Sequence, residues 1–375
     1  MSGPPTLTDG TVTVRAHRDD DVPAVVEQSQ DPDSVRWTTV PTPYGPEDAR
    51  RFVREVMPSG WPEGRWGFAV ETGGRYAGTV ELRNEGGGRA ELAFGSHPQA
   101  RGTGAMERAC RLVLEWGFAQ QGVRTVVWHA HVGNWASRRL AWKLGFSFGG
   151  VLRGYLRHRG DELVDAWSGT LLSTDDRRPR SLWLAAPPLT DGVVRLRTLR
   201  AGDAGRVVEA AGDERTWRWL GRMPSPYTTA EAATWLEQVS EEAAVGRTVT
   251  WAFTGADDDV LQGVVNLFDI EPGNSAEVGF WAHPDARGRG LTTRATVLAL
   301  RHGFTAFDLV RVQGHAALGN AASRHVLEAS GLREAGVARL GTFIRPEGRV
   351  DAMKYDVLVE EWRTSGAQPR RGISG

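Results

Sequence analysis

The chain has 375 residues, 40% of them hydrophobic and 24% charged, with a formal net charge of −1; that length exceeds one ordinary domain and suits two. The near-neutral balance gives no electrostatic argument for a nucleic acid or an acidic membrane surface as partner, and neither is expected. The lone cysteine, Cys110, excludes an intramolecular disulfide and a cysteine-based zinc site, no metal is expected, and with no bilayer-length apolar run and no signal pattern in residues 1–5 the expected location is the cytoplasm.

In chain order, residues 12–15 alternate and are predicted as a strand. Residues 19–28 have helical spacing behind the Asp19-Asp20-Asp21 run, and 47–56 form a second helix. Residues 66–71 and 76–83 are strands joined at Gly73-Gly74, a hairpin signal. A strand at 89–96 precedes a long amphipathic helix from Gly102 to Gln120. A strand at 125–131 and a short helix at 137–144, closed by Gly145, follow. Two last strands, 151–157 and 164–171, flank the Gly160 turn. Hairpins first and crossover helices later predict a mixed α/β sheet with helices on both faces.

The whole order repeats. Asp9-Gly10 and Arg15 recur as Asp191-Gly192 and Arg197, and Trp66 recurs as Trp251. Ala90-Glu91, His97-Pro98 and Arg101-Gly102 recur as Ala276-Glu277, His283-Pro284 and Arg287-Gly288, and Asn134 and Ser137 as Asn320 and Ser323. The offset is too long for a solenoid, so each unit is a domain. The expected division is 1–172 and 189–363, with a Pro-punctuated linker at 173–188 and a disordered tail at 364–375.

In each unit a strand ends in His-Pro and enters a glycine-bearing turn ahead of the long helix: Arg101-Gly102-Thr103-Gly104-Ala105 and Arg287-Gly288-Arg289-Gly290-Leu291. Glycines let backbone approach a ligand, and successive N–H groups at a helix N-terminus favour an anion. A pyrophosphate is the expected guest. Neither loop has the lysine of a P-loop, and Glu107 and Thr293 stand where a dinucleotide fingerprint needs its third glycine.

About thirty residues on come Asn134-Trp135-Ala136-Ser137 with Gly145-Phe146, and Asn320-Ala321-Ala322-Ser323 with Gly331-Leu332. Arg-Gly-x-Gly-x at a strand-to-helix turn, then Asn-x-x-Ser and a Gly-Phe closure, resembles the GNAT superfamily, in detail its RimJ/RimL-like protein N-terminal acetyltransferases. The flanking Arg153-Gly154-Tyr155 and Asp165, with Arg339 and Asp351, fit that branch, and the resemblance covers nearly the whole chain twice. It implies two tandem GNAT folds, each a mostly antiparallel twisted sheet, binding acetyl-CoA or another acyl-CoA.

By that resemblance Arg101 to Ala105 and Arg287 to Leu291 hold the pyrophosphate. Asn134 and Asn320 touch the pantetheine arm, and backbone near Ser96 and Ala282 polarises the thioester carbonyl. Ser137 and Ser323 lie at the departing sulfur, because Tyr155, where a family tyrosine would stand, is answered by Gly341. An Asn before a helix also serves as a plain N-cap. An α-amine of pKa about 8 must lose a proton before attack; Glu91 and Glu277, on the strand into each loop, are the candidate bases, against the alternative of a buried Glu paired with an Arg. Trp37 with Tyr44, and Trp219 with Tyr227, are expected to wall the acceptor groove. The expected acceptor is a peptide or protein N-terminus. Alternatives are a small-molecule or natural-product amine, a longer acyl donor, or one domain acting as a non-catalytic scaffold. The chain is expected as a pseudo-dimeric monomer or a homodimer.

Overall fold

The computed structural model describes residues 4–221 and 223–364; the tail expected to be disordered lies outside the described residues from residue 365 on. The chain divides into two units, the first ending at Ser181 and the second beginning at Leu182. The stretch 173–188 is shared between them. Before the division, Arg177 lies over the Phe118 ring at 4.5 Å and Trp142 Nε1 donates to the Ser181 carbonyl. After it, Leu184 is buried in the second unit's core and Trp251 Nε1 donates to the Pro187 carbonyl.

The first unit runs β1 (Leu7–Thr8), β2 (Val12–Arg15), α1 (Val22–Gln30), α2 (Pro32–Trp37), α3 (Pro46–Arg51), α4 (Met57–Gly60), β3 (Arg65–Thr72), β4 (Arg75–Gly86), β5 (Arg89–Ser96), α5 (Ala105–Gln120), β6 (Thr125–His131), α6 (Trp135–Lys143), β7 (Ser147–Arg157) and β8 (Leu163–Leu172). The sheet order is β1-β2-β3-β4-β5-β6-β8-β7, and of its pairings only β5 with β6 is parallel. The short helix α2 is absent from the sequence expectation. Asp31 accepts from Ser34 N at 3.1 Å and Pro32 takes the first helical position, so cap and proline start it together.

The second unit repeats this as β9 (Leu189–Thr190), β10 (Val194–Arg197), α7 (Ala204–Gly212), α8 (Glu214–Trp219), α9 (Thr229–Ala244), β11 (Val249–Gly255), β12 (Gly263–Phe268), β13 (Ser275–Ala282), α10 (Leu291–Ala306), β14 (Arg311–Ala317), α11 (Ala321–Ala329), β15 (Arg333–Ile344), β16 (Gly348–Leu358) and α12 (Val359–Thr364). Its sheet order is the same, with β13 and β14 as the parallel pair.

Alternation decides which face of each sheet does what. On β6, Val126, Trp128 and Ala130 join α5 in the core, which sends Val127, His129 and His131 to the opposite face. The long helix seats closely at Gly117, where an added Cβ would lie 2.4 Å from Leu82 Cδ2; Gly303 repeats this against Leu267 at 2.9 Å. Overpacking such a contact costs about 1–3 kcal/mol.

Two recurring residues of the sequence repeat prove structural. Arg15 and Asp21, both buried, make two hydrogen bonds of 2.8 Å, and Arg197 repeats them with Asp203. Asp9 accepts from the N–H groups of Thr11 and Val12, closing the turn from β1 to β2, as Asp191 does with Val193 and Val194. No helix among the described residues is long and apolar enough to cross a membrane.

Candidate active site

The parallel strands of each sheet part company. The β5–β6 ladder stops at Leu92 and Trp128, although β5 continues to Ser96 and β6 to His131. The β13–β14 ladder stops at Glu277 and Gln313, although the strands run on to Ala282 and Ala317. Each sheet therefore opens at its centre, and the strand leading to Ser96 or Ala282 presents backbone N–H and C=O groups to the gap rather than to its neighbour.

The glycine-bearing turn closes the end of that gap. Gly102 and Gly104 have φ of 76° and 83°, and Gly288 and Gly290 have 70° and 72°. A Cβ at any of the four would meet nothing within 4 Å, so left-handed backbone and not crowding requires glycine. Gly104 and Gly290 are the N-caps of α5 and α10 and lend no side-chain cap, although the Ala105 N–H reaches Thr103 Oγ1 at 3.3 Å. The other first-turn N–H groups, at the positive end of a 16-residue helix, suit a phosphate group.

The loop arginines are already engaged. Arg101 pairs with Asp31 and, at 3.1 Å, with Asp33; Arg287 pairs with Asp213 and donates also to Thr216 Oγ1 at 2.8 Å. The Arg287 hydrogen bond holds the Asp213 carboxyl down at about 2. These two arginines, expected to meet the pyrophosphate, fasten the loop to the N-caps of α2 and α8. The sequence could not show this, since the partners lie about seventy residues away.

Asn134 and Asn320 cap α6 and α11, their side chains accepting from Ser137 N and Ser323 N at 3.2 Å. The Ser137 hydroxyl accepts from Trp128 Nε1 at 3.1 Å. The residue matching Trp128 at the 186-residue offset is Gly314, so Ser323 has no indole beside it, and Ser323 lines a cavity.

Each candidate glutamate is joined by a histidine that sequence reasoning missed. His129 Nδ1 lies 3.1 Å from Glu91 Oε1, and His315 Nδ1 hydrogen-bonds Glu277 Oε1. The signal was available: His129 and His315 recur at the same offset as the glutamates and lie on the next strand of the same face. The surroundings then diverge. Opposite Glu91 stands Arg83, 3.3 Å away and also bonded to Glu81. Opposite Glu277 stands Phe268, with Asn266 in the place of Glu81. The His129 hydrogen bond, opposed by burial and aided by Arg83, holds the Glu91 carboxyl below the usual range. At Glu277 burial acts upward, but the His315 hydrogen bond and charge outweigh it and the carboxyl is again lowered.

In the second unit these parts share one cavity of about 1350 Å³, lined by Gly288 and Gly290, by Glu277, His315, Asn320 and Ser323, and by Trp219 and Tyr227. It exceeds the roughly 300–1,000 Å³ of ordinary ligand pockets, leaving room for a long ligand and an acceptor together. Ala282 and Arg287 also line it. In the first unit Trp37 lies against His131, with ring centroids 6.3 Å apart, while Tyr44 packs on the buried Val25, Ala49 and Val53. On the helix side, Trp135 and Trp167 pack with centroids 4.5 Å apart and Arg138 lies over both; Ala321 and Met353 stand at these places in the second unit. The cradles differ too. Glu107, paired with Arg111 and Lys143, occupies the first turn of α5, where the second unit has Thr293, and Arg289 replaces Thr103.

Opened sheet, glycine-bearing helix start and carboxylate–imidazole pair come together around the second unit's cavity. The Acetyltransferase (GNAT) domain family matches the chain over residues 11–147 and again over 194–333, and the chain belongs to it. It is an N-acetyltransferase with acyl-coenzyme A as its cofactor. The chain is 28% identical over 177 residues to a Bacillus subtilis protein named "Putative ribosomal N-acetyltransferase YdaF", covering 45% of this chain and 93% of that one. A second B. subtilis protein, "Probable N-acetyltransferase YjcK", is 34% identical over 86 residues, which are 22% of this chain and 48% of that protein. The solved structure of Mycobacterium smegmatis RimJ in complex with CoA-disulfide shares 25% identity, covers 49% of this chain and 91% of its own, and gives a TM-score of 0.44.

Proposed function

We propose that the chain transfers an acetyl group to the α-amine at a protein or peptide N-terminus in the cytoplasm, and that the second unit's site does the work. The observation that carries this is the shared cavity: cradle glycines, Glu277–His315 pair, Ser323 and the Trp219–Tyr227 wall line one volume. The likeness to a protein named as a ribosomal N-acetyltransferase supports a protein acceptor.

Acyl-coenzyme A, when bound, supplies an activated thioester. The first-turn N–H groups of α10 hold its diphosphate, with Arg289 adding charge at the rim. The unpaired edge of β13 up to Ala282 offers backbone N–H and C=O groups to its amide-bearing arm and an N–H to the thioester oxygen. Glu277 orients His315, whose free imidazole nitrogen takes the proton of the incoming ammonium, so that the neutral amine attacks. The Ser323 hydroxyl stands ready to donate to the departing sulfur. In the first unit the matching carboxylate is held by Arg83 and the matching hydroxyl by Trp128.

The test is a panel of peptides and small amines with acetyl-CoA, followed by thiol release, with calorimetric titration of coenzyme A. Release with peptides and one tight cofactor site per chain are expected. Absence of release with every amine, or two equal cofactor sites, would overturn the reading.

A further inference from the structure

The face of the second sheet that meets the acceptor is unusually apolar for a site that handles an ammonium ion. Register places Val264 opposite Trp281 and Phe268 opposite Glu277, all on one face with His315. Over that face lie Tyr227 and Trp235, packed with Val207 and Val264 in one apolar cluster; the rings of Trp235 and Trp281 are 6.4 Å apart. All six line the cavity that holds the Glu277–His315 pair, and the aromatic rings are only half-buried, so they face its volume.

The first unit shows that the fold does not demand this. Its register puts Thr79 opposite Gly95 and Arg83 opposite Glu91, with Glu81 between. Thr79 hydrogen-bonds Tyr76 and His17 there, where the second unit has Leu261 and Leu199. The same sheet face thus gains Val264, Phe268 and Trp281 in the second unit where the first has Thr79, Arg83 and Gly95. Half-exposed aromatic rings beside a reaction centre gain free energy only when something apolar covers them.

We infer that the second unit selects acceptors carrying a large apolar side chain next to the reactive amine: an N-terminal residue such as Phe or Leu, seated against Trp235 and Trp281. This rests on the peptide N-terminal reading above. Polar and acidic first residues would lose their hydration against these rings with no partner in return.

The test uses the full chain, acetyl-CoA and pentapeptides identical except for a first residue of Phe, Leu, Ser or Asp. The apolar pair should exceed Ser in kcat/KM by about 10- to 100-fold, with Asp lowest. Trp281→Gly, the residue of the first unit, and Trp235→Ala should each shrink the Phe-to-Ser ratio to within about 3-fold. That ratio is internal to each variant and unaffected by the fraction of folded protein. A Ser peptide equal to the Phe peptide in the unaltered chain, or a ratio that neither variant moves, would overturn the inference. If no peptide reacts but small apolar amines do so better than polar ones, the apolar preference stands and the peptide reading falls.

Discussion

The two units carry the same glycine turn on the same topology, yet differ in the side chains around the glutamate–histidine pair and beside the helix that follows it. Glu91 faces a guanidinium and Glu277 faces a phenyl ring. Trp128, Trp135 and Trp167 stand where the second unit has Gly314, Ala321 and Met353. Bulk has been added on the cofactor side of the first unit and charge on its acceptor side, while the glycines of the turn persist. Retained loop geometry is therefore a poor guide to which copy turns over; the side chains two strands away are the better one.

The widest separation should come from the bases. Glu277→Gln or His315→Ala is expected to lower kcat/KM by about 10²–10³-fold, because proton removal by a positioned side chain is worth about that much. On the proposed assignment of turnover to the second unit, Glu91→Gln or His129→Ala should leave the rate within about twofold. Steady-state kinetics on the four variants reads this directly, and equal losses in both units would break the comparison.

A smaller effect should follow from transplanting the first unit's cation. Phe268→Arg places a guanidinium opposite Glu277 and is expected to cost about tenfold in kcat near neutrality. Steady-state kinetics of this variant reads the effect, and an unchanged kcat would break the comparison.

A separate effect concerns stability. His17 of the first unit is half-buried but lies in a desolvated setting that presses its pKa from 6.5 to about 4, while Leu199 takes its place in the second. A histidine whose folded pKa is depressed stays neutral while the unfolded chain protonates, so stability is intact above about pH 6.5 and falls as pH drops from there toward 4. The full drop is on the order of 3 kcal/mol. His17→Leu should reduce the loss of melting temperature between pH 7 and pH 5 for the transition of the first unit. Melting curves from the two chains that shift in parallel across that range would exclude this role.

Much of this architecture could be read from the chain alone. The 186-residue offset, the Gly73-Gly74 hairpin and the paired glycine turns gave the order of elements and the place of the cradle. What escaped was information carried by register. That Arg83 neutralises Glu91 follows only once β4 and β5 are aligned residue by residue, and the helix 32–37 was overlooked despite its Asp31-Pro32 start. The same limit explains Arg101 and Arg287: a basic residue beside a phosphate turn invites one reading, and only the folded chain reveals the aspartates it clasps.

Those clasps bind two ends of the site into one piece. Asp213 begins the short helix that ends at Trp219, and the arginine gripping it belongs to the glycine-bearing turn ahead of α10. On the proposed reading, the wall for the acceptor is thereby tethered to the seat of the donor, and a strut of protein charge sets the spacing between the two reactants.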